Sequence, residues 1–211
     1  MTTRSHSLFI KPNKPLILAS GSASRKVMLE DAGVIFDIVI SDVDESIIKQ
    51  EISSQPFNKQ VIALASAKAE VVSLQFPNAV VIGGDQMCIL GNKIFDKPGT
   101  KENAVRNLKE LSGTAHYQYS GICLYQNGEA IWTYAEYATM KMHSLSEIEI
   151  INYVEKEDPT GAAGAYKFES LGCNLFESVE GSSYTVRGMP LLPLLKKLRE
   201  LDIMNLESIE G

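Results

Sequence analysis

Three stretches of this 211-residue chain carry side chains whose types and spacing can do chemistry. In Leu16-Ile-Leu-Ala-Ser-Gly-Ser-Ala-Ser-Arg-Lys26 a short apolar run meets a turn of small residues and then a helix start. Turn amides, the hydroxyls of Ser20 and Ser22 and the helix N-terminus together make an anion site, and Arg25 adds a forked cation. The alternative is an ordinary strand-to-helix turn in which Ser24 merely caps the helix. The run is not a Walker loop, because the Gly-Lys-Ser/Thr ending is absent. Lys68 lies four residues after Leu64, seven after Val61 and four before Val72, on the apolar face of its helix. A lysine there either snorkels to the rim or reaches a buried anion. Asp85 follows Val80-Val81-Ile82-Gly83-Gly84. A carboxylate at the carboxyl end of a strand suits metal binding or base catalysis, with two glycines permitting close approach. The alternative is a turn aspartate satisfied by local amides. Glu45 closes a second strand beside Asp42 and Asp44, where a solvated acidic turn is the competing account. Lys97-Pro98 either aims a cation at the same place or leaves an exposed surface lysine. His6, His116 and His143 show no metal spacing and no serine-protease arrangement.

The elements that must position these residues follow from pattern and punctuation. Leu16–Ser20 reads as a buried strand, followed by a helix from about Arg25 to Gly33 and a strand over Val34–Ile40. A long helix is expected over Asn58–Leu74, then an apolar strand Ala79–Ile82 stopped by Gly83-Gly84. Gly91-Asn92 joins a first hairpin, and Thr100 caps a helix ending at Gly113. Asn127-Gly128 between Tyr119–Tyr125 and Glu129–Met142 is the strongest hairpin signal. Ser146 with Glu149 forms a capping box for a helix through Val154, and a leucine-rich helix spans Leu191 to about Leu201. Strands and helices alternate early and hairpins come later. This predicts an α/β protein with a mixed twisted sheet, flanking helices and two lobes around a central cleft. Residues 1–14 read as an N-terminal extension and 15–205 as one domain.

Bulk properties narrow the function classes. The net charge of −6 argues against a nucleic-acid polymer as partner, since such proteins present a broad basic face. Cys88, Cys123 and Cys173 lie far apart, which fits neither a zinc site nor a disulfide framework and suggests a reducing compartment. The first fifteen residues lack the apolar core of a signal peptide, and no segment reaches the ~20 apolar residues of a membrane span. A cytoplasmic protein without a membrane partner is the expectation.

Taken in order, these pieces resemble the Maf family of nucleotide pyrophosphatases along nearly the whole chain. The resemblance runs through Leu16–Lys26, Asp44-Glu45, Ala67-Lys68-Ala69, Val81-Ile82-Gly83-Gly84-Asp85-Gln86 and Lys97-Pro98. It continues through Leu111-Ser112-Gly113 with His116, Ser120-Gly121, Gly181-Ser182 and Gly188-Met189-Pro190-Leu191. Gln86 replaces the threonine of members acting on dTTP or UTP. Gly161–Glu169 replaces their Asp-Lys-Ala-Gly stretch. Gln86 and Glu169 resemble the branch that hydrolyses 7-methyl-GTP. Ala23 departs from a usual proline, Ser24 from a bulky aromatic and Lys26 from an arginine.

The resemblance implies hydrolysis of a nucleoside triphosphate between its α- and β-phosphates. Ser20, Ser22, Arg25, Lys68 and Lys97 are then the phosphate ligands, with Lys26 a weaker candidate. Glu45 and Asp85 would hold magnesium or manganese, and Asp85 would act as the base toward water. Ser24, Gln86 and Glu169 would set base choice. The carboxylate of Glu169 can accept from both donors of guanine, where a glutamine has one acceptor oxygen. A cationic 7-methyl base further favours that carboxylate, together with an aromatic face from Tyr166 or Phe168. The resemblance also points to a homodimer. The alternatives are a pyrophosphatase for dTTP, UTP or other nucleotides, and a nucleotide-binding regulator of cell division without catalysis.

Overall fold

The computed structural model describes residues 9–210. His6 and the first eight residues of the expected extension lie outside the described residues. The elements in chain order are β1 (Phe9–Ile10), β2 (Leu16–Leu18), α1 (Ala23–Asp31), β3 (Asp37–Ile38), α2 (Glu45–Ile52), α3 (Phe57–Gln75), β4 (Val80–Leu90) and β5 (Lys93–Phe95). They continue with α4 (Lys101–Leu111), β6 (Ala115–Gln126), β7 (Glu129–Met142), α5 (Glu147–Glu157), β8 (Phe176–Glu180), α6 (Ser183–Val186), α7 (Leu191–Glu200) and β9 (Ile209–Glu210).

The main sheet is mixed, in the order β3-β2-β4-β6-β7-β8, with β5 paired to β4. β2 runs parallel to β3 and to β4, whereas β4–β5 and β7–β8 are antiparallel. β1 pairs with β9 in a separate two-stranded ribbon. The chain divides into two compact units. One holds the described residues up to Asp85, Gly121–Ala135 and those from Met189 on; the other holds Gln86–Ser120 and Glu136–Gly188. Strands β4, β6 and β7 each contribute residues to both.

In the first unit β2 is apolar and buried at every position, as a strand with both faces covered must be. Its register sets Leu16, Ile17 and Leu18 opposite Val80, Val81 and Ile82. Helix α3 runs over 19 residues and fully buries Val61, Leu64, Ala65, Ala69 and Val72. In the second unit Phe95, Leu108, Leu111, Met140, Ile150, Tyr166 and Phe176 share one apolar cluster. Each large apolar side chain so buried contributes about 1.5–3 kcal/mol.

Several sequence expectations hold. Gly91 and the pair Asn127-Gly128 adopt positive φ at their hairpin turns. Thr100 caps α4, and Ser146 with Glu149 forms the capping box of α5. Others are corrected. The strand expected over Val34–Ile40 shrinks to Asp37–Ile38, because Val34 bridges to Ile10 instead. Gly83 and Gly84 do not stop their strand: β4 continues through them to Leu90, so Asp85 sits inside a strand. Glu45 opens a helix rather than closing a strand, with Asp44 as its cap. Helix α1 is capped by Ser22 and not by Ser24.

Candidate active site in the first unit

The chain leaving β2 places Ser20, buried, one turn ahead of α1. Ser20 Oγ accepts from the Ser22 amide at 3.2 Å and from Arg25 Nη1 at 3.0 Å. Ser22 Oγ in turn accepts from the Arg25 amide at 3.4 Å. The helix start and its arginine are therefore tied to one hydroxyl. Arg25 is itself buried beside Gly84, where an added Cβ would stand 3.0 Å from Nε and 3.2 Å from Cδ. Burial lowers the Arg25 pKa from its ordinary value, and the charges of Asp85 and Glu45 raise it part of the way back.

Lys68 resolves its two readings in favour of the buried anion. Its Nζ donates to Asp85 Oδ1 at 2.6 Å and pairs with Glu45 Oε1 at 2.8 Å, with only 12% of the side chain exposed. Asp85 is buried on β4, and Glu45 stands in the first turn of α2, half in solvent. Asp44 and Glu45 divide their work. Asp44 accepts from the Ser46 amide at 2.9 Å and its hydroxyl at 2.6 Å, which lowers the Asp44 pKa and leaves Glu45 to face Lys68.

Ser20, Ser22, Arg25, Glu45, Lys68 and Asp85 are thus brought together by the turn after β2, the first turns of α1 and α2, and the middles of α3 and β4. Lys26 is not among them. One position further round α1, it faces solvent and pairs with Glu30 at 3.6 Å. Ser24 lies half-buried on the first turn of α1. Gly83, read as an opening toward a ligand, instead lets α3 lie against the sheet: an added Cβ would stand 2.3 Å from the Ala65 carbonyl oxygen.

The remaining expected residues belong to the second unit. Lys97 is exposed in the loop between β5 and α4, and Glu169 is exposed in the segment before β8. Gln86, next after Asp85, is held by its amide nitrogen, which donates to the Val186 carbonyl at 2.7 Å. Its carbonyl oxygen has no partner among the described residues. Tyr166 cannot offer an aromatic face to a base: it is buried, its hydroxyl meeting His116 Nε2 at 2.9 Å and Gln118 Nε2 at 2.7 Å. Phe168 packs toward Phe176, ring centroids 5.8 Å apart.

Sequence reasoning missed this buried polar group and the clamp on α6. There Ser120 Oγ donates to the Thr185 carbonyl at 2.7 Å, and the Thr185 hydroxyl bonds Glu136. Ser120 and Thr185 are uncharged residues in unremarkable local patterns, so only their pairing across 65 positions reveals them. Burial pushes the His116 pKa down to about 4, so this imidazole is neutral at pH 7.

Among the described residues no three His, Cys, Asp or Glu side chains group as a metal cage. Glu45 and Asp85 nevertheless present two carboxylate oxygens to a single ammonium. Such a pair suits a hard divalent cation, which is held by one or two carboxylates and completes its shell with water and phosphate oxygens. No helix among the described residues is long and apolar enough to cross a membrane.

Comparison with known proteins matches residues 15–201 to the family described as Maf-like protein. A nucleoside triphosphate pyrophosphatase of Legionella pneumophila (strain Lens) is 39% identical over 193 residues, 92% of this chain and 96% of that protein. A 7-methyl-GTP pyrophosphatase of Rhizobium etli is 39% identical over 190 residues, covering 88% and 96% of the two chains. One of the same name from Rhizobium meliloti (strain 1021) is 39% identical over 193 residues, covering 89% and 97%.

Proposed function

The chain belongs to the Maf-like protein family, and on that premise we propose that it is a nucleoside triphosphate pyrophosphatase. It would cut between the α- and β-phosphates to release the monophosphate and pyrophosphate, with 7-methyl-GTP as the preferred substrate. The observation that carries the reading is the convergence of Lys68 on both Asp85 and Glu45 beside the buried Arg25. A buried carboxylate within reach of two fixed cations is what water activation at a polyanion requires.

Arg25 and Lys68 neutralise phosphate oxygens, and Ser20 keeps a hydroxyl hydrogen for one of them while its lone pairs face Ser22 and Arg25. Lys97 is proposed as a further phosphate ligand on the family resemblance alone. Asp85 orients the attacking water and takes its proton. Glu45 and Asp85 are the residues that would hold magnesium or manganese, whose chemistry there is charge neutralisation at the phosphates. Base choice falls to Ser24, Gln86 and Glu169. Glu169 is exposed and accepts the two guanine donors, while Gln86 keeps one acceptor oxygen in place because α6 holds its nitrogen. Two relatives of 39% identity named for 7-methyl-GTP support the narrower substrate. Three free cysteines suit a cytoplasmic setting.

A pyrophosphate-release screen over canonical and 7-methylated nucleotides, with magnesium or manganese, tests the proposal. Turnover fastest on 7-methyl-GTP supports it in full. Turnover fastest on dTTP or UTP keeps the activity and rejects the branch. Nucleotide binding without any turnover rejects the enzyme in favour of a regulator.

A further inference from the structure

The structure assigns Lys68 a second role: it is a tethered counter-ion that keeps free divalent metal off Glu45 and Asp85, so that the substrate is the preformed metal–nucleotide complex. The inference rests on the proposed pyrophosphatase site and deepens it. Lys68 Nζ stands 2.6 Å from Asp85 and 2.8 Å from Glu45, the seat a cation shared by the two carboxylates would take. The ammonium is held there by a side chain 12% exposed on a helix packed against the sheet, so its local concentration is permanent. With Arg25 acting on the same two carboxylates, the group holds two positive and two negative charges and is balanced by itself.

Free metal arriving alone would set two further positive charges beside two fixed cations, in a partly buried place where Coulomb repulsion is weakly screened. A triphosphate reverses the sign. Its oxygens give Lys68 and Arg25 new anionic partners, and the two carboxylates are released as Lys68 turns to the phosphates. The three-donor ammonium on a flexible stem suits that exchange, which a planar guanidinium would make less readily. Nucleotide and metal thus bind well only together, and metal in excess of nucleotide does not preload the site.

The test is a titration of the nucleotide-free protein with Mn²⁺, following free ion by its electron paramagnetic resonance signal. Wild type is expected to bind Mn²⁺ weakly, and Lys68→Met at least tenfold more tightly. The gain should vanish in Lys68→Met with Glu45→Gln. Lys68→Gln serves as a second neutral variant, and thermal melts confirm that each protein read is folded. Three results overturn the inference: tight Mn²⁺ binding by wild type that Glu45→Gln abolishes, equal affinity in wild type and both neutral variants, or a gain that survives Glu45→Gln. Because no nucleotide is present, the outcome is independent of the turnover screen. Failure to hydrolyse any nucleotide would reject the proposed function and leave this titration standing.

Discussion

Two adjacent glycines should fail in different ways when each gains a methyl group. At Gly83 the added Cβ would meet the Ala65 carbonyl oxygen at 2.3 Å, Cys123 Sγ at 2.7 Å and Ala69 Cβ at 2.8 Å. A methyl carbon and a carbonyl oxygen rest at about 3.3 Å, so α3 must retreat by about 1 Å. A gap of that size forfeits up to about half of each dispersion well along the helix face. That face includes Val61, Leu64, Ala65, Ala69 and Val72, all fully buried. Gly121 on β6 also lets the helix lie close, since a Cβ added there would stand 2.7 Å from the Val61 carbonyl, so the helix cannot pivot cheaply about its first half. Gly83→Ala should therefore cost about 3 kcal/mol. For a chain of this size that lowers Tm by about 6–12 °C. At Gly84 the new contacts are Arg25 Nε at 3.0 Å and Cδ at 3.2 Å, the middle of a side chain rather than backbone. Gly84→Ala should leave Tm within about 2 °C of wild type. The guanidinium must shift, and misplacing such a group by about 1 Å can cost up to about 100-fold in rate. Calorimetry and kcat/KM on the same three preparations decide. A Gly83→Ala protein melting with wild type would refute the close packing of α3, and a fully active Gly84→Ala would refute the positioning of Arg25 by β4.

Asp85→Asn should fold with near-native Tm and lose about 100-fold or more of kcat, the usual contribution of a positioned base; retention of a tenth of the wild-type rate would sink that role. Glu169→Gln should lower kcat/KM for 7-methyl-GTP by about tenfold and narrow its lead over GTP, since one charge-assisted hydrogen bond is lost; an unchanged ratio removes Glu169 from base choice. His116 predicts a pH effect on stability. The unfolded imidazole takes a proton below about 6.5, whereas the folded one does so only near 4. Between these values the unfolded state binds more protons, so this contribution is complete above pH 6.5 and is lost as pH falls toward 4. The full drop is worth about 3 kcal/mol. Urea midpoints of wild type and His116→Gln, measured from pH 7 to 4, should converge on acidification by that amount, and parallel curves would refute the burial argument.

Local rules were enough for much of this protein. A turn needs only the two residues that tolerate positive φ, so Asn127-Gly128 announced its hairpin. A capping box needs only Ser146 and Glu149, and an amphipathic helix only its own period, so α3 and the apolar setting of Lys68 were legible. The serines, Arg25, Glu45 and Asp85 could be picked out as chemistry-bearing by type and place. What no local rule contained was the partner of each. Whether Lys68 snorkels or meets an anion depends on Asp85, 17 residues away on another element. The same holds for Gly83, whose neighbour is a helix carbonyl 18 positions earlier, and for Tyr166, drawn from the base-reading face into the core by His116 and Gln118. Propensity also placed a strand over residues 34–40 and a stop at Gly83-Gly84, and pairing overrode both: a strand persists where neighbours offer it hydrogen bonds and ends where they do not. The sequence chose the chemistry, and the tertiary structure chose which charge faces which, because Coulomb and packing energies depend on distances that only the folded chain sets.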